Sequence, residues 1–578
     1  MPRKYVVALV AAIALATYWN ALHAPFVWDD DTSITTNQSL HAISTALNPP
    51  IETPVSGRPV VNVSLALNYA FGGLDPTGYH VLNLAILVAC ALLLFGIVSR
   101  TLHRHAQPDS QLSNDGVALI AALVWMTHPL LSETVDYTTQ RTESLMGFFF
   151  LLTLYASIRA FDTRKRRARA AAAHRGAALS AQPNWTWTAI AIVSCAAGMA
   201  TKESMAIAPV AIVLYDVLFE FESLADAFAA RRVLYGGLAL TWVELAAIMW
   251  HWPRSTVGGA VVSPLTYALN QAQMVVHYLW LSLWPHALVV DYGVPQTLHV
   301  ADVLPQLAAI ACLMAVVVVA LVRWPRVGFL GAMCVLTLAP TSSIIPIWTE
   351  VGAERRMFLP LAALVVLAVT LAARLPRRAI VAGASLVIAA LAIRTFERNR
   401  DYASALTLWQ RVVDVRPHGR ARFAFANELM TAGRHEDATT QLRLAIADYP
   451  DARAGLGTEL LLQGQLEDGI DVLQAFVDAN PSLPNRIPAL ALLAQAHRAL
   501  AEQALAKHDA KRAVVEARKS LQFDANNADA HNDLGAALAS QGDLSAAIPE
   551  FEAAVRIDPR LASASANLAR ATAMVQGR

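Results

Sequence analysis

Residues 5–31 read YVVALVAAIALATYWNALHAPFVWDDD. Eighteen residues without a charge, Tyr5 to Leu22, lead through a short aromatic passage to three carboxylates, Asp29, Asp30 and Asp31. An uncharged apolar run of that length matches one bilayer crossing. Carboxylates are excluded from hydrocarbon, so Asp29 and Asp30 are expected where the chain leaves the membrane, tethered at its surface. A site there reaches a lipid headgroup and a water-soluble partner together.

Composition carries the membrane reading beyond this first run. Of 578 residues, 56% are hydrophobic and only 15% charged, against about a quarter charged in ordinary soluble domains. The net charge of +1 conceals a partition, because the basic residues gather in a few short loops. Cys90, Cys195, Cys312 and Cys334 all fall inside apolar runs and lack metal-ligand spacing, so neither disulfides nor a thiolate metal site are expected. Met1-Pro2-Arg3-Lys4 with its apolar run has the outline of a signal peptide. No small-x-small cleavage site precedes the acids and further spans follow, which favours an uncleaved first span.

After the first span comes a polar loop over residues 23–78, in which Arg58 to Tyr69 is amphipathic and is expected along the interface. Further apolar runs begin near Tyr79, Val117, Leu145, Trp185, Met205, Val233, Val303, Val327, Met357 and Ala379. With the first, they make about 11 spans. Lys and Arg cluster at Arg3-Lys4, Arg100 to Arg104, Arg164 to Arg169, Arg231-Arg232, Arg323 to Arg326 and Arg374 to Arg378. The positive-inside rule assigns these to the cytoplasm, which places the first loop and the C-terminal half outside. Leu265 to Val290 would break that alternation if it crossed, so it is read as re-entrant or interfacial. The tract Arg164 to Arg175 reads as a solvated loop, and no nucleic-acid partner is expected.

Around Arg394 long apolar runs give way to an Ala/Leu helical texture with regular charges. Gly433 recurs as Gly464 and Pro450 as Pro481, each 31 residues on. Ala513 recurs as Ala547 and Asp524 as Asp558, each 34 on. Small and large packing positions at this period, with Pro ending the second helix, define the tetratricopeptide helix–turn–helix repeat. Four to five units are expected from Asp401 onward, the third irregular around Pro484 to Ala510. The expected architecture is all-α: a membrane body over 1–395 and a repeat superhelix over 396–578. Stacked repeats make a concave surface whatever they bind, so the period names no ligand.

On the expected outer face lie Asp29, Asp30, Arg58, His80, Asn83, His128, Glu133, Arg141, Glu143, Lys202, Glu203, Glu354, Arg355 and Arg356. Ionisable groups at span ends mark a polar cavity. A carboxylate there can take a proton from a hydroxyl nucleophile. Arg58, Arg141, Lys202, Arg355 and Arg356 can hold a phosphate and stabilise it as it leaves. Together these groups suggest transfer from a phosphate-bearing donor. Plainer roles stand beside that one: Arg355 and Arg356 as span anchors, His80 and His128 as packing or capping groups, Lys202-Glu203 as a salt-bridged turn. Tyr278, Trp280 and Trp284 read as an interfacial belt.

The order Phe26-Val27-Trp28-Asp29-Asp30, Arg58-Pro59, Tyr79-His80-Val81-Leu82-Asn83, His128-Pro129 with Glu133 and Arg141, Thr201-Lys202-Glu203 and Glu354-Arg355-Arg356, followed by repeats opening with Trp409, resembles the transmembrane and tetratricopeptide-repeat O-mannosyltransferases and their bacterial relatives. The resemblance covers nearly the whole chain. It implies a GT-C glycosyltransferase of inverting type, using a polyprenyl-phosphate sugar, mannose-like by family. The acceptor hydroxyl would belong to a polypeptide or glycan presented by the repeats. It places the enzyme in the cytoplasmic (inner) membrane with the repeats in the periplasm or cell exterior. It makes the first Asp of the pair the base, hence Asp29 with Asp30 in support, although Asp31 leaves the choice among neighbours open. Met357-Phe358 departs mildly from the family's usual Leu-Tyr. Some GT-C enzymes need a divalent ion; the sequence shows no His/carboxylate cage for one. The competing class is a membrane scaffold whose repeats recruit partners.

Overall fold

The computed structural model describes residues 2–105, 110–160, 184–253, 261–343, 345–479 and 486–577. The basic tract Arg164 to Arg175, Pro481 and Pro484 lie outside them. The chain is all-helical and divides into two compact units, Met1–Arg416 and Pro417–Arg578.

In the first unit every one of the expected apolar runs is helical. Among the described residues seven helices are long and apolar enough to cross a membrane: Arg3–Ala21, Pro76–Arg104, Thr138–Ala160, Leu224–His251, Val300–Arg323, Glu354–Ala372 and Arg377–Tyr402. An eighth crossing arises if Asn114–Met126 and Pro129–Asp136, bent by 62°, are taken as one span. The bend has a local cause. Pro129 donates no hydrogen bond and holds His128 extended (φ −75°, ψ 131°), out of the helical region. Trp185–Met199 and Pro325–Leu338 are apolar but shorter. The run near Met205 is broken into a 3-10 turn, the helix Ala208–Tyr215 and a π turn over Asp216–Glu220. Of the 11 expected spans, seven or eight are therefore long and apolar enough to cross among the described residues, and the other three are shorter or broken helices. Leu265 to Val290 forms the helix Pro264–Leu283, which is not among those apolar enough to cross.

Burial separates centre from rim. Two thirds of the most apolar 18-residue stretch of Thr138–Ala160 is buried, against 6% of that of Val300–Arg323. Val316, Val318, Val319 and Val322 on the latter helix stand more than half exposed, the apolar surface that a membrane-facing helix presents. The chain is a multi-pass membrane protein. The described basic clusters share one end of it. Arg104 pairs with Glu220, Arg231 with Asp216 at 2.5 Å, and the Gln111 N–H donates to the Ala373 carbonyl beside Arg374. The acidic motif lies past the opposite end of the first helix.

The unit boundary falls beyond the composition shift near 395. Tyr402, Leu408, Trp409 and Val412 are buried, and the Trp409 ring meets Trp28 of the first loop edge-on at 5.1 Å. The helix Ala405–Val415 thus belongs to the membrane unit.

Among the described residues the second unit holds four helix pairs and a final helix: Gly419–Thr431 with His435–Ala445, Ala452–Leu462 with Leu466–Ala479, Arg486–Ala506 with Ala510–Phe523, Ala528–Ser540 with Leu544–Ile557, then Ala562–Val575. Small residues set the spacing: a Cβ on Gly457 would come within 2.5 Å of Leu473, and one on Gly535 within 2.7 Å of Phe551. Each pair turns on a left-handed residue, Gly433, Gly464, His508 and Gly542 (φ 73°, 76°, 60° and 86°). The next N–H reaches back to the Leu429, Leu460, Ala504 and Leu538 carbonyls respectively, the closing bond of a Schellman turn. The third pair looks irregular in sequence because its first helix is longer and histidine stands where the others have glycine.

Candidate functional site

The first loop presents its two leading carboxylates to different surroundings. Trp28 adopts φ 51°, a left-handed conformation that costs a bulky side chain about 1–3 kcal/mol and is retained only where its surroundings over-determine it. Its ring stacks on Tyr137 at 6.1 Å and meets Trp409 edge-on. Beyond this turn Asp30 is fully buried. Its Oδ2 accepts from the Val27 N–H at 3.1 Å, and its Oδ1 from the Thr139 N–H at 2.7 Å and hydroxyl at 2.6 Å. Asp30 is a clasp between the first loop and the start of the helix Arg141–Ala160. Burial pushes its carboxyl up to about 7, against the Thr139 and Val27 hydrogen bonds, and Asp29 adds to the rise.

Asp29 is half-buried. Its N–H donates to the Tyr137 hydroxyl at 3.1 Å, the Tyr137 side chain also hydrogen-bonds its carboxylate, and the Arg355 guanidinium lies within its field. Asp31 points away: it is exposed and accepts from the Thr35 hydroxyl. Of the three acids, Asp29 alone combines partial access with a nearby arginine.

Arg355 is placed by carboxylates. Its N–H donates to Glu133 Oε2 at 3.0 Å, and its guanidinium lies 3.5 Å from Glu133 and pairs with Glu350. Arg356 is more deeply spent, on Glu350 Oε1 (3.0 Å), the Thr341 carbonyl (3.0 Å) and the Tyr267 hydroxyl (3.2 Å). Glu354 accepts from the Val289 N–H at 2.6 Å and the Tyr292 hydroxyl at 2.9 Å, and lies 3.6 Å from buried Arg398. Arg398 in turn pairs with Asp401 at 2.8 Å. This chain of charges supports Arg355 from behind.

The other expected cations have different partners. Arg141 is fully buried; its guanidinium donates to Asn83 Oδ1 (2.6 Å) and to the Ser64 and Tyr79 carbonyls (both 3.0 Å). That makes it a strut between helices, with Asn83 as part of the same strut. Lys202 pairs with Glu143, and burial holds its ammonium below the ordinary lysine range. Arg58 lies 3.7 Å from Glu203 and donates to the Pro54 carbonyl. Lys202 and Arg58 form a second charged cluster, joined to each other through their fields. His80 bridges the Val135 and Ala24 carbonyls at 2.8 and 3.0 Å, and His128 caps the Pro129 turn. Both serve packing. Among the described residues no three His, Cys, Asp or Glu side chains converge into an all-protein metal cage.

Sequence reasoning missed Tyr137, Glu350, Arg398 and Asp401. Tyr137 follows Glu133 by one helical turn and Glu350 precedes Arg355 in the same loop, so proximity to chosen residues could have found both. Arg398 lies just past the composition change near Arg394, outside the residues gathered on the outer face.

A multi-pass helical body, an acid and an arginine at one membrane exit, and a solenoid of paired helices define a membrane protein with a polar site at its surface. The tetratricopeptide repeat model matches residues 423–484 and 489–562. The chain is 28% identical over 315 residues to "Protein O-mannosyl-transferase tmtc2" of Xenopus laevis, covering 49% of this chain and 35% of that protein. It is 31% identical over 188 residues to "Protein O-mannosyl-transferase TMTC2" of Homo sapiens (31% and 21%), and 30% identical over 157 residues to TMTC3 of Mus musculus (25% and 16%). These matches make the chain a relative of proteins so named, while it spans about a third or less of their length. Among solved structures, ArnT from Cupriavidus metallidurans bound to undecaprenyl phosphate overlaps at TM-score 0.37 and 15% identity, over 82% of this chain and 80% of that one. The repeat protein YrrB overlaps at 0.22 and 18% identity, over 32% and 87%. Overlaps this loose set no chemistry for this chain.

Proposed function

We propose that the chain is an integral-membrane glycosyltransferase, moving a mannose-like monosaccharide from a polyprenyl-phosphate donor to an acceptor hydroxyl at the membrane face bearing the first loop. The observation that carries the reading is the division of labour at the first exit: Asp30 is consumed as a clasp, while half-buried Asp29 sits between Tyr137 and Arg355.

In the reaction Asp29 takes the proton of the acceptor hydroxyl. The freed oxygen attacks the anomeric carbon from the side opposite the phosphate, forming the new glycosidic bond. The bond from that carbon to the phosphate oxygen breaks, and the lipid phosphate leaves with the electron pair. Arg355, fixed by Glu133 and Glu350, stabilises the growing charge, and attack from the far side inverts the configuration. Arg58 and Lys202 are the second cationic group available to the donor. The repeats hold the acceptor, an extended polypeptide offering serine or threonine. A scaffold with no chemistry would leave the strained Trp28 turn and the Asp29–Arg355 approach without a purpose.

The test supplies membranes containing the chain with a labelled polyprenyl-phosphate mannose and a polypeptide acceptor. Label on the polypeptide, with anomeric configuration opposite to the donor's, supports the proposal. Absence of transfer from any polyprenyl-phosphate sugar, or direct use of a sugar nucleotide, overturns it.

A further inference from the structure

At the end of the membrane unit opposite the acidic motif, a cavity of about 420 Å³ opens between the first helix and the helix Pro76–Arg104. Arg3, Arg100 and Arg104 line its rim, with Asp115 the one acid among its lining residues. The charges do not cancel. Arg104 is neutralised by Glu220. Asp115 accepts from the Ser99 hydroxyl at 2.6 Å and lies 3.8 Å from His103. Among the described residues neither Arg3 nor Arg100 meets a carboxylate. Arg100 touches the Tyr155 hydroxyl at 3.4 Å and lies over its ring at 5.3 Å, which turns the guanidinium along the cavity wall.

Below the rim the lining changes character. Val7, Leu92 and Phe95 form the inner wall. Leu92 lies two helical turns from Arg100, about 12 Å deeper at 1.5 Å per residue. Gly96 stands between, where a Cβ would come within 2.8 Å of Tyr155; its absence lets the tyrosine close the side of the cavity. Two arginines that meet no carboxylate among the described residues, over an apolar wall descending into the hydrocarbon level, match one ligand chemistry: a phosphate ester carrying an acyl tail. A water-soluble anion would satisfy the arginines and leave the apolar wall wet.

We infer that the Arg3–Arg100 cavity binds the headgroup of an anionic phospholipid, with an acyl chain lying along Val7, Leu92 and Phe95. The site is on the opposite leaflet from Asp29 and is distinct from any donor site, so it stands or falls independently of sugar transfer. It would fix the ends of the first two long helices against each other, and a basic side chain near an anionic membrane surface contributes about a fivefold gain in binding.

The test is native mass spectrometry of the full chain, delipidated in neutral detergent and titrated with phosphatidylglycerol, with phosphatidylcholine of the same acyl chains, and with inorganic phosphate. The expected result is selective retention of one phosphatidylglycerol. Retention should fall about fivefold in Arg3→Gln and again in Arg100→Gln, recover in Arg100→Lys, and be unchanged in Arg232→Gln, an exposed arginine outside the cavity. Arg3 is itself exposed, so its variant folds whatever becomes of Arg100. Equal retention of phosphatidylcholine, or an equal loss in Arg232→Gln, overturns the site. Occupancy by inorganic phosphate without preference for the lipid overturns the lipid assignment.

Discussion

Replacing Asp30 by asparagine tests the clasp. The carboxyl is fully buried, and burial raises it from an ordinary 3.8 to about 7. The folded loop therefore holds this proton more tightly than the unfolded loop does. Its stability is complete below about pH 4 and is lost as pH rises toward 7, because ionising the acid is easier once the loop opens. A displacement from 3.8 to about 7 corresponds to about 4 kcal/mol in all, of which about 3 kcal/mol falls between pH 5 and 8. Asparagine does not ionise. It keeps an oxygen for Thr139 and surrenders the bond from the Val27 N–H, at a pH-independent cost of about 1 kcal/mol. Hydrogen exchange of peptides covering residues 24–41, corrected for intrinsic rates, reads the opening free energy directly. The wild-type chain should lose about 3 kcal/mol of protection from pH 5 to 8, and Asp30→Asn should be flat over that range. An equal slope in the variant would refute the buried, proton-holding clasp.

Other outcomes follow from the same geometry. Arg355→Gln should lower transfer by about 10²–10³ in kcat with a small change in KM, whereas Arg356→Gln, whose side chain is spent on protein groups, should act mainly through destabilisation of about 3–5 kcal/mol in thermal unfolding. Glu143→Gln alone should destabilise by a similar amount by stranding the Lys202 ammonium, and the double variant with Lys202→Met should recover most of it. In the repeat unit His508→Gly relieves a left-handed histidine and should raise stability by about 0.5–1 kcal/mol, read as a higher denaturation midpoint; a lower midpoint would show that the histidine itself contributes.

Much of this architecture can be read from the sequence, because hydropathy and period are local signals. Apolar runs find helices wherever they occur, and basic clusters mark the ends that the ion pairs of Arg104 and Arg231 then bring together. Where the reading stops is also physical. Hydropathy cannot foresee that Pro129 bends one crossing, or that the run near Met205 breaks into three turns. Composition places a boundary near Arg394, yet Trp409 packs on Trp28, so the membrane unit extends to Arg416. Among the candidate residues, chemistry and position select Asp29 and Arg355 but cannot separate them from Arg141 or Arg356, whose guanidinium groups are spent on protein groups that include backbone carbonyls. A carbonyl partner leaves no trace in residue type. The same holds for Asp30, which sequence pairs with Asp29 and structure assigns to Thr139.

In the proposed reaction Asp29, and no neighbouring acid, takes the proton of the acceptor. This is tested by measuring sugar transfer and donor binding together for Asp29→Asn and Asp31→Asn in membranes with equal expression. Asp29→Asn should bind the polyprenyl-phosphate sugar normally and transfer at least about 10²-fold more slowly, while Asp31→Asn should transfer at the wild-type rate. Undiminished transfer by Asp29→Asn would contradict it.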